Sequence, residues 1–292
     1  MKYGPLVFLA AFIAISASWG AFVLTPQVQL GRAVQETNAV AKADLYPAGR
    51  PGLARQGLEV YRADGCFYCH SQQVEQNGTL VDVVLTDAGK TSMEVATALN
   101  NASLGATYSG PGLAASLPKP VLRNVSLEAA SAFAAVLKRA GAVTELHLVP
   151  TGPDIERGWG ARRSVAQDFV FDATVMPGSQ RVGPDLANVG ARLPDMNWQL
   201  VHLYNPQAVV AKSPMPAYRF LFEKRKIRKQ PSIDALQLPK EFTPAEGYEI
   251  VPKPEAKALA AYLLSLRSDT PLYEAPLTPP PAPAAATNAP AK

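Results

Sequence analysis

Two cysteines occur in 292 residues, and both lie in one five-residue stretch, Cys66-Phe-Tyr-Cys-His70. A single pair this close cannot supply a disulfide framework. Thiols spaced by three residues can add to the two vinyl groups on one edge of a haem. A histidine directly after the second thiol then reaches the iron from the same side. The motif therefore predicts one covalently bound haem c, held by Cys66 and Cys69 and ligated by His70. The competing reading is a redox-active dithiol followed by a chance histidine. The chain has three histidines, which makes that coincidence small, and the neighbouring residues lack a thioredoxin-like strand–helix–strand order. Haem is attached to such motifs outside the cytoplasmic membrane, where exposed thiols would otherwise oxidise.

That location needs an export signal or an anchor. Leu6 to Leu24 is an uninterrupted apolar run after Lys2. It is nearer the roughly 20 residues of a membrane span than the roughly 7–15 of a signal-peptide core. Residues 1–26 are read as a transmembrane anchor, with cleavage at Ile15-Ser-Ala-Ser18 as the alternative. Lys2 and Arg32 flank the run and offset one another, so charge gives no orientation. The haem motif does, placing everything after the anchor on the outer, periplasmic side of a single-pass inner-membrane protein. Residues 27–50 read as a linker. Residues 270–292 form a Pro/Ala-rich tail with too little apolar surface to order itself, a disordered segment by composition. Hydrophobic residues make up 48% of the chain and exclude wholesale disorder; the formal charge of +4 is too weak to argue for nucleic acid.

Pro51 opens a helical pattern in which Leu53, Gly57, Val60 and Tyr61 share a face, and Gly57 on that face invites a close helix crossing. Residues 51–79 and 150–269 are assigned to a haem domain, closed by a helix whose apolar face is Leu259, Tyr262, Leu263 and Leu266. Between them, residues 80–149 have the marks of a separate α+β unit. Leu80–Leu85 and Val143–Val149 read as strands, and Pro118–Leu122 as extended chain. Ser92–Leu104, Leu113–Leu117 and a helix after Ser126 complete a β-α-α-β-α-β order. Ser126 is an N-cap, Glu128 lies in the first turn, Lys138 and Arg139 in the last, and Gly141 closes it. The expected apolar face is Ala129, Phe133, Val136, Leu137 and Ala140. The first and last strands can be neighbours in an antiparallel sheet. Leu80 and Val149 are then expected at opposite ends of adjacent strands, linked out by flexible flanks at Gln76–Thr79 and Pro150–Pro153.

A haem with one histidine leaves a sixth coordination position. A neutral thioether suits an electron relay because it favours ferrous iron. Met93, Met176, Met196 and Met215 are the candidates. Met215 stands in Ser213-Pro-Met-Pro-Ala-Tyr218, where the prolines stiffen an extended loop; Met176 is its nearest rival. Any one of them can instead be core filler. His202 is a possible second nitrogen ligand, or a structural histidine. The basic run Arg219 to Lys229 is a solvated surface face or a contact for anionic lipid or a partner subunit.

Gly57 and Tyr61, the C-x-x-C-H motif, Gly183-Pro184, Arg192, a methionine loop and a final aromatic-bearing helix together resemble a class I cytochrome c, a mostly α fold. That resemblance implies that the Pro184 carbonyl meets the His70 imidazole, that Arg192 approaches a haem propionate, and that the Gly57 helix crosses the Tyr262 helix. Gly65–Gln73, Gly183–Gly190, His202-Leu-Tyr-Asn-Pro206 and Met215-Pro-Ala-Tyr218 resemble more closely the mono-haem subunit II of cbb3-type cytochrome c oxidases. This implies Met215 as the axial ligand, with iron held between His70 and Met215. It also implies electron transfer toward a catalytic haem-copper subunit, with other cytochrome c subunits or donors as partners. The chain departs from simple class I cytochromes in that His70 and Pro184 lie 114 positions apart. Within that interval, Val81–Gly89, Leu117–Leu122, Val125–Ala130 and Lys138–Ala142 resemble the C-terminal domain of the bacterial ribosomal stalk protein. That family binds translation factors through lysine-rich helices. Ser92–Leu117 has no lysine or arginine, so only the fold is carried over.

The resulting expectation is an electron-transfer subunit that is not catalytic alone, since the chain supplies neither a second haem nor a copper site. A tethered cytochrome independent of an oxidase, and an assembly module acting through residues 80–149, are the alternatives.

Overall fold

The computed structural model describes residues 3–31, 36–37, 45–47, 49–50, 52–102, 107–172 and 174–269. The tail expected from residue 270 and half of the linker lie outside the described residues. The chain divides into two compact units. One runs up to Val74 and resumes at Arg157; the other is Glu75–Glu156.

The N-terminal helix α1 (Gly4–Trp19) passes through a π-helical turn at Gly20–Leu24 into α2 (Thr25–Gly31). It is therefore longer than the anchor expected from the apolar run, and residues 27–31 are helix rather than linker. The wide turn lies just before Pro26, which has no N–H to give and crowds the preceding turn. The Thr25 hydroxyl donates to the Gly20 carbonyl at 2.8 Å. Gly4–Gln29 is apolar and long enough to cross a membrane; its 26 residues span about 39 Å against roughly 30 Å of hydrocarbon. A two-residue bridge pairs β1 (Glu36–Thr37) with β2 (Leu45–Tyr46).

Helix α3 (Gly52–Ala63) buries Ala54, Gly57, Leu58 and Tyr61. The expected face is rotated slightly: Leu53 is 46% exposed, and Ala54 and Leu58 take the inner positions. Gly57 lies against the closing helix α10 (Pro254–Ser265). A Cβ there would stand 1.9 Å from the Ala258 carbonyl oxygen, so only glycine allows the two backbones this close. Helix α10 buries Leu259, Tyr262, Leu263 and the following Leu266, as its periodicity predicts. Tyr61 and Tyr262 meet with ring centroids 5.2 Å apart, and Leu200, Leu203, Leu221 and Ile250 complete this core.

In the Glu75–Glu156 unit, β3 (Gly78–Asp87) is the central strand of an antiparallel sheet, flanked by β4 (Lys119–Val125) and β5 (Val143–Thr151). Val81, Val83, Leu85 and Leu146 point into a core shared with α4 (Ser92–Asn101), α5 (Gly110–Ala115) and α6 (Leu127–Arg139). Helix α4 ends before Leu104, and α5 starts earlier than expected, at Gly110 with Pro111 in its first turn. The Ser126 hydroxyl caps α6 by accepting from the Ala129 N–H at 3.2 Å. The buried face of α6 is Ala130, Ala134 and Leu137, with Phe133 half-buried; Ala129 and Val136 are exposed. The period was legible there and the phase was not.

The strand ends also differ from expectation. Leu80 and Val149 are direct partners, and so are Gly78 and Thr151. Antiparallel pairing places the start of one strand beside the end of its neighbour, so the unit's entry and exit coincide without flexible flanks. The flanks themselves extend the ladder. A short helix α7 (Pro153–Glu156) follows, and its buried Asp154 accepts from the Glu75 N–H at 2.9 Å.

Candidate functional site

Helix α3 ends at Ala63, and Gly65, with φ of +68°, turns the chain into a short 3-10 turn, Cys66–Tyr68. The Cys69 and His70 N–H groups donate back to the Cys66 carbonyl at 3.2 and 3.0 Å. Both cysteines and the histidine are thus fixed by one turn of backbone. Cys66 is half-buried and Cys69 exposed. Burial pushes the Cys66 thiol up to about 12, the opposite of the depressed values that mark dithiol redox catalysts.

A glycine-rich segment closes over this turn. The Gln72 N–H donates to the Pro177 carbonyl at 2.8 Å, the Gly183 N–H to the Cys69 carbonyl at 2.9 Å, and the Leu186 N–H to the Ser71 carbonyl at 2.8 Å. Asp185, fully buried, accepts from the Ser71 hydroxyl at 2.6 Å, the Gln73 N–H at 2.8 Å and the Ala187 N–H at 2.7 Å. Asp185 follows Pro184 in the chain, and nothing in the sequence alone marks it for this role.

His70 Nδ1 is 2.8 Å from the Pro184 carbonyl oxygen. A carbonyl only accepts, so Nδ1 carries the proton and Nε2 keeps its lone pair. Gly183 lies under the ring: a Cβ there would be 2.2 Å from His70 Cε1. Any side chain at 183 would displace the imidazole.

The ring borders a cavity of about 550 Å³, its open mouth included. Cys66, His70, Pro184, Arg192 and Met215 all border it, so the structure brings five of the six sequence-predicted site residues to one cavity. Cys69, the sixth, is exposed on the motif's turn. Leu186, Val189, Leu193, Leu259 and Leu263 give the walls their apolar character, and Trp198 and Gln199 border the cavity without any earlier signal. Of the other methionines, Met176 packs against the same core without bordering the cavity. Met196, the first residue of α9 (Met196–Tyr204), is 39% exposed; Met93 is 63% exposed and belongs to the other unit. The loop carrying Met215 is tied to α9 by the Tyr218 N–H, which donates to the Leu203 carbonyl at 2.9 Å.

Arg192 ends the short helix α8 (Val189–Arg192) and donates through Nη2 to the Asp185 carbonyl at 2.7 Å. Its Nε is buried without a hydrogen-bond partner, as are the Tyr61 hydroxyl and His202 Nδ1, and all three residues border the cavity. Such orphaned polar atoms are costly unless a ligand satisfies them. Burial lowers the Arg192 pKa, with the Asp185 carboxylate acting against it. An imidazole lone pair, a thioether, an apolar slot and a cationic edge are a donor set that fits a haem.

The basic run Arg219 to Lys229 contributes an unpredicted strand. β4 and β3 have no part in it: β6 (Phe222–Lys226) pairs antiparallel with β7 (Tyr248–Pro252).

A protein-family model described as cytochrome C oxidase, mono-heme subunit/FixO, matches residues 150–243. The matched stretch, about a third of the chain, includes Gly183, Pro184, Arg192, His202 and Met215 and excludes Cys66–His70. No curated protein matches the chain.

Proposed function

We propose that this chain is a membrane-anchored mono-haem c-type cytochrome that relays electrons to the catalytic subunit of a cbb3-type haem-copper oxygen reductase. One observation carries the reading: the C-x-x-C-H motif and the separately matched stretch 150–243 border the same cavity. Neither signal contains the other, and only the fold joins them.

In this reading the haem-bearing part is a class I cytochrome c fold, and residues 80–149 form a domain inserted into it. Cys66 and Cys69 would hold the haem through thioethers, and His70 Nε2 and the Met215 sulfur would be the groups offered to its iron. The bound iron supplies a one-electron couple. The chain's residues set the conditions for it. Pro184 holds the His70 N–H and so keeps Nε2 aimed and basic. Gly183 leaves room for that ring. The leucine and valine walls exclude water. Arg192 offers its unsatisfied Nε–H to a propionate, a charge-assisted contact. The apolar N-terminal helix holds the haem domain on the periplasmic face of the inner membrane. The chain carries electrons and does not reduce oxygen by itself.

The test is the composition of the native complex solubilised in mild detergent. The oxidase reading expects stoichiometric co-purification with a multi-spanning haem protein. Isolation of the chain as a lone membrane cytochrome would favour an independent shuttle.

A further inference from the structure

Asp185 has no role in the reading above, yet its carboxylate is fully buried against the residues that aim His70. It stands one residue after Pro184, and Ser71 stands one residue after His70. The two pairs face each other. His70 Nδ1 donates to the Pro184 carbonyl at 2.8 Å, and the Ser71 hydroxyl donates to Asp185 Oδ2 at 2.6 Å. The same oxygen accepts from the Gln73 N–H at 2.8 Å, and Oδ1 accepts from the Ala187 N–H at 2.7 Å. The Ser71 oxygen accepts in turn from Arg181 Nε at 2.9 Å, which leaves its own hydrogen for the carboxylate. Each partner brings a hydrogen, as an ionised carboxylate requires, since it accepts without donating.

Such a clamp by itself is structural. Two observations give it electrostatic reach. The first is what opposes the charge. The Arg181 guanidinium comes to 3.9 Å from Asp185 Oδ2, and its side chain is 29% exposed. Water therefore screens the cation more than the buried anion. Its Nη2 goes to the Gln73 carbonyl at 2.5 Å, and Arg192 donates to the main-chain carbonyl of Asp185. The second is that the carboxylate is felt at the imidazole. Burial lowers the His70 pKa, and the Pro184 carbonyl and then the Asp185 charge act against it. A field that favours positive charge on the ring favours it equally on a metal that the ring holds.

Resting on the haem reading, we propose that Asp185 is a positioning residue that also sets the haem's potential: it locks the turn that aims His70, and its buried negative charge favours ferric over ferrous iron. Ferric haem carries one more positive charge than ferrous haem, so the carboxylate lowers the midpoint potential. Met215 acts in the opposite sense, since a thioether favours ferrous iron.

The experiment is a redox titration of the full-length, haem-loaded chain in detergent, with Asp185→Asn and Ser71→Ala. Asparagine keeps the size and removes the charge. Alanine at 71 takes a hydrogen bond from the carboxylate and keeps the charge. Asp185→Asn should raise the ferrous-to-ferric ratio at a fixed ambient potential about tenfold, the order expected of one buried charge and a positive shift of about 59 mV for a one-electron couple. Ser71→Ala should leave the midpoint potential at or below wild type, because the charge stays and loses a donor. The near-infrared sulfur-to-iron band should persist in both variants, as it does when Met215 stays in place. A midpoint potential unchanged in Asp185→Asn would overturn the proposal. So would a rise in Ser71→Ala equal to that in Asp185→Asn, which would assign both shifts to a loosened histidine. An Asp185→Asn chain that matures no haem, while Ser71→Ala matures it, would overturn it too, by making the carboxylate a requirement of the fold rather than of the potential. Failure of the haem reading looks different: the wild-type chain would carry no haem to titrate.

Discussion

At the scale of single residues, the site depends on which of four methionines can reach the cavity. The sequence favoured Met215 through its flanking prolines, but left Met176 open because thioethers are common core filler. The fold separates the two: both touch the same core, and Met215 alone of the pair borders the cavity. Met215→Ala should abolish the near-infrared sulfur-to-iron band and lower the midpoint potential, since a thioether stabilises ferrous iron. Met176→Ala should leave both unchanged. The reverse pattern would move the ligand to Met176. The contact between His70 and Pro184 was implied only by family likeness, because 114 positions separate them and no local periodicity links them. The orphaned Nε of Arg192 and Nδ1 of His202 were invisible in the sequence, since an unsatisfied atom is defined by what surrounds it.

Secondary-structure elements were legible where their signals are local. The Ser126 cap and the α10 face follow from composition and period; the small phase errors on α3 and α6 arise because alanine and glycine fit either side of a face boundary. Gly57 gave a correct tertiary hint. Gly57→Ala should cost about 3 kcal/mol, at the upper end of overpacking, because its Cβ would meet backbone rather than a yielding side chain. Chemical denaturation checks this; a variant as stable as wild type would show that α3 and α10 do not cross there. The β6–β7 hairpin was missed because its strand is mostly charged: Glu-Lys-Arg-Lys has no apolar alternation to read. A buried carboxylate supports that hairpin. Glu249 accepts from the Ser232 hydroxyl and N–H, both at 2.6 Å, and from Arg225 Nε at 2.8 Å. The Ser232 hydroxyl first, then its N–H, and then Arg225 hold the Glu249 pKa down to about 2, from an ordinary 4.5. A depressed carboxylate stabilises the fold above its unfolded pKa and loses that contribution as pH falls through the folded one. Wild type should therefore melt above Glu249→Gln at pH 6, and the gap should close between about pH 4.5 and 2. A gap unchanged at pH 2 would assign the difference to packing rather than to charge.

For the whole molecule, the order of the chain and the order of the fold disagree. The motif and the segment that closes over it are separated by a unit with its own sheet and core, whose first and last strands pair at Gly78 and Thr151. A unit whose ends meet can be added to or removed from a loop at little cost. Replacing residues 80–149 with a short Gly/Ser linker should leave haem attachment and the sulfur-to-iron band intact, with any loss confined to assembly. A deletion variant that is exported normally and matures no haem would make the unit part of the haem domain. All of this rests on covalent haem at Cys66 and Cys69, which acid–acetone extraction of the expressed chain tests most directly. The account predicts that haem stays on the wild-type polypeptide, and that the double variant Cys66→Ala/Cys69→Ala holds none covalently. Extraction of haem from the wild-type chain, or covalent retention by the double variant, would contradict it.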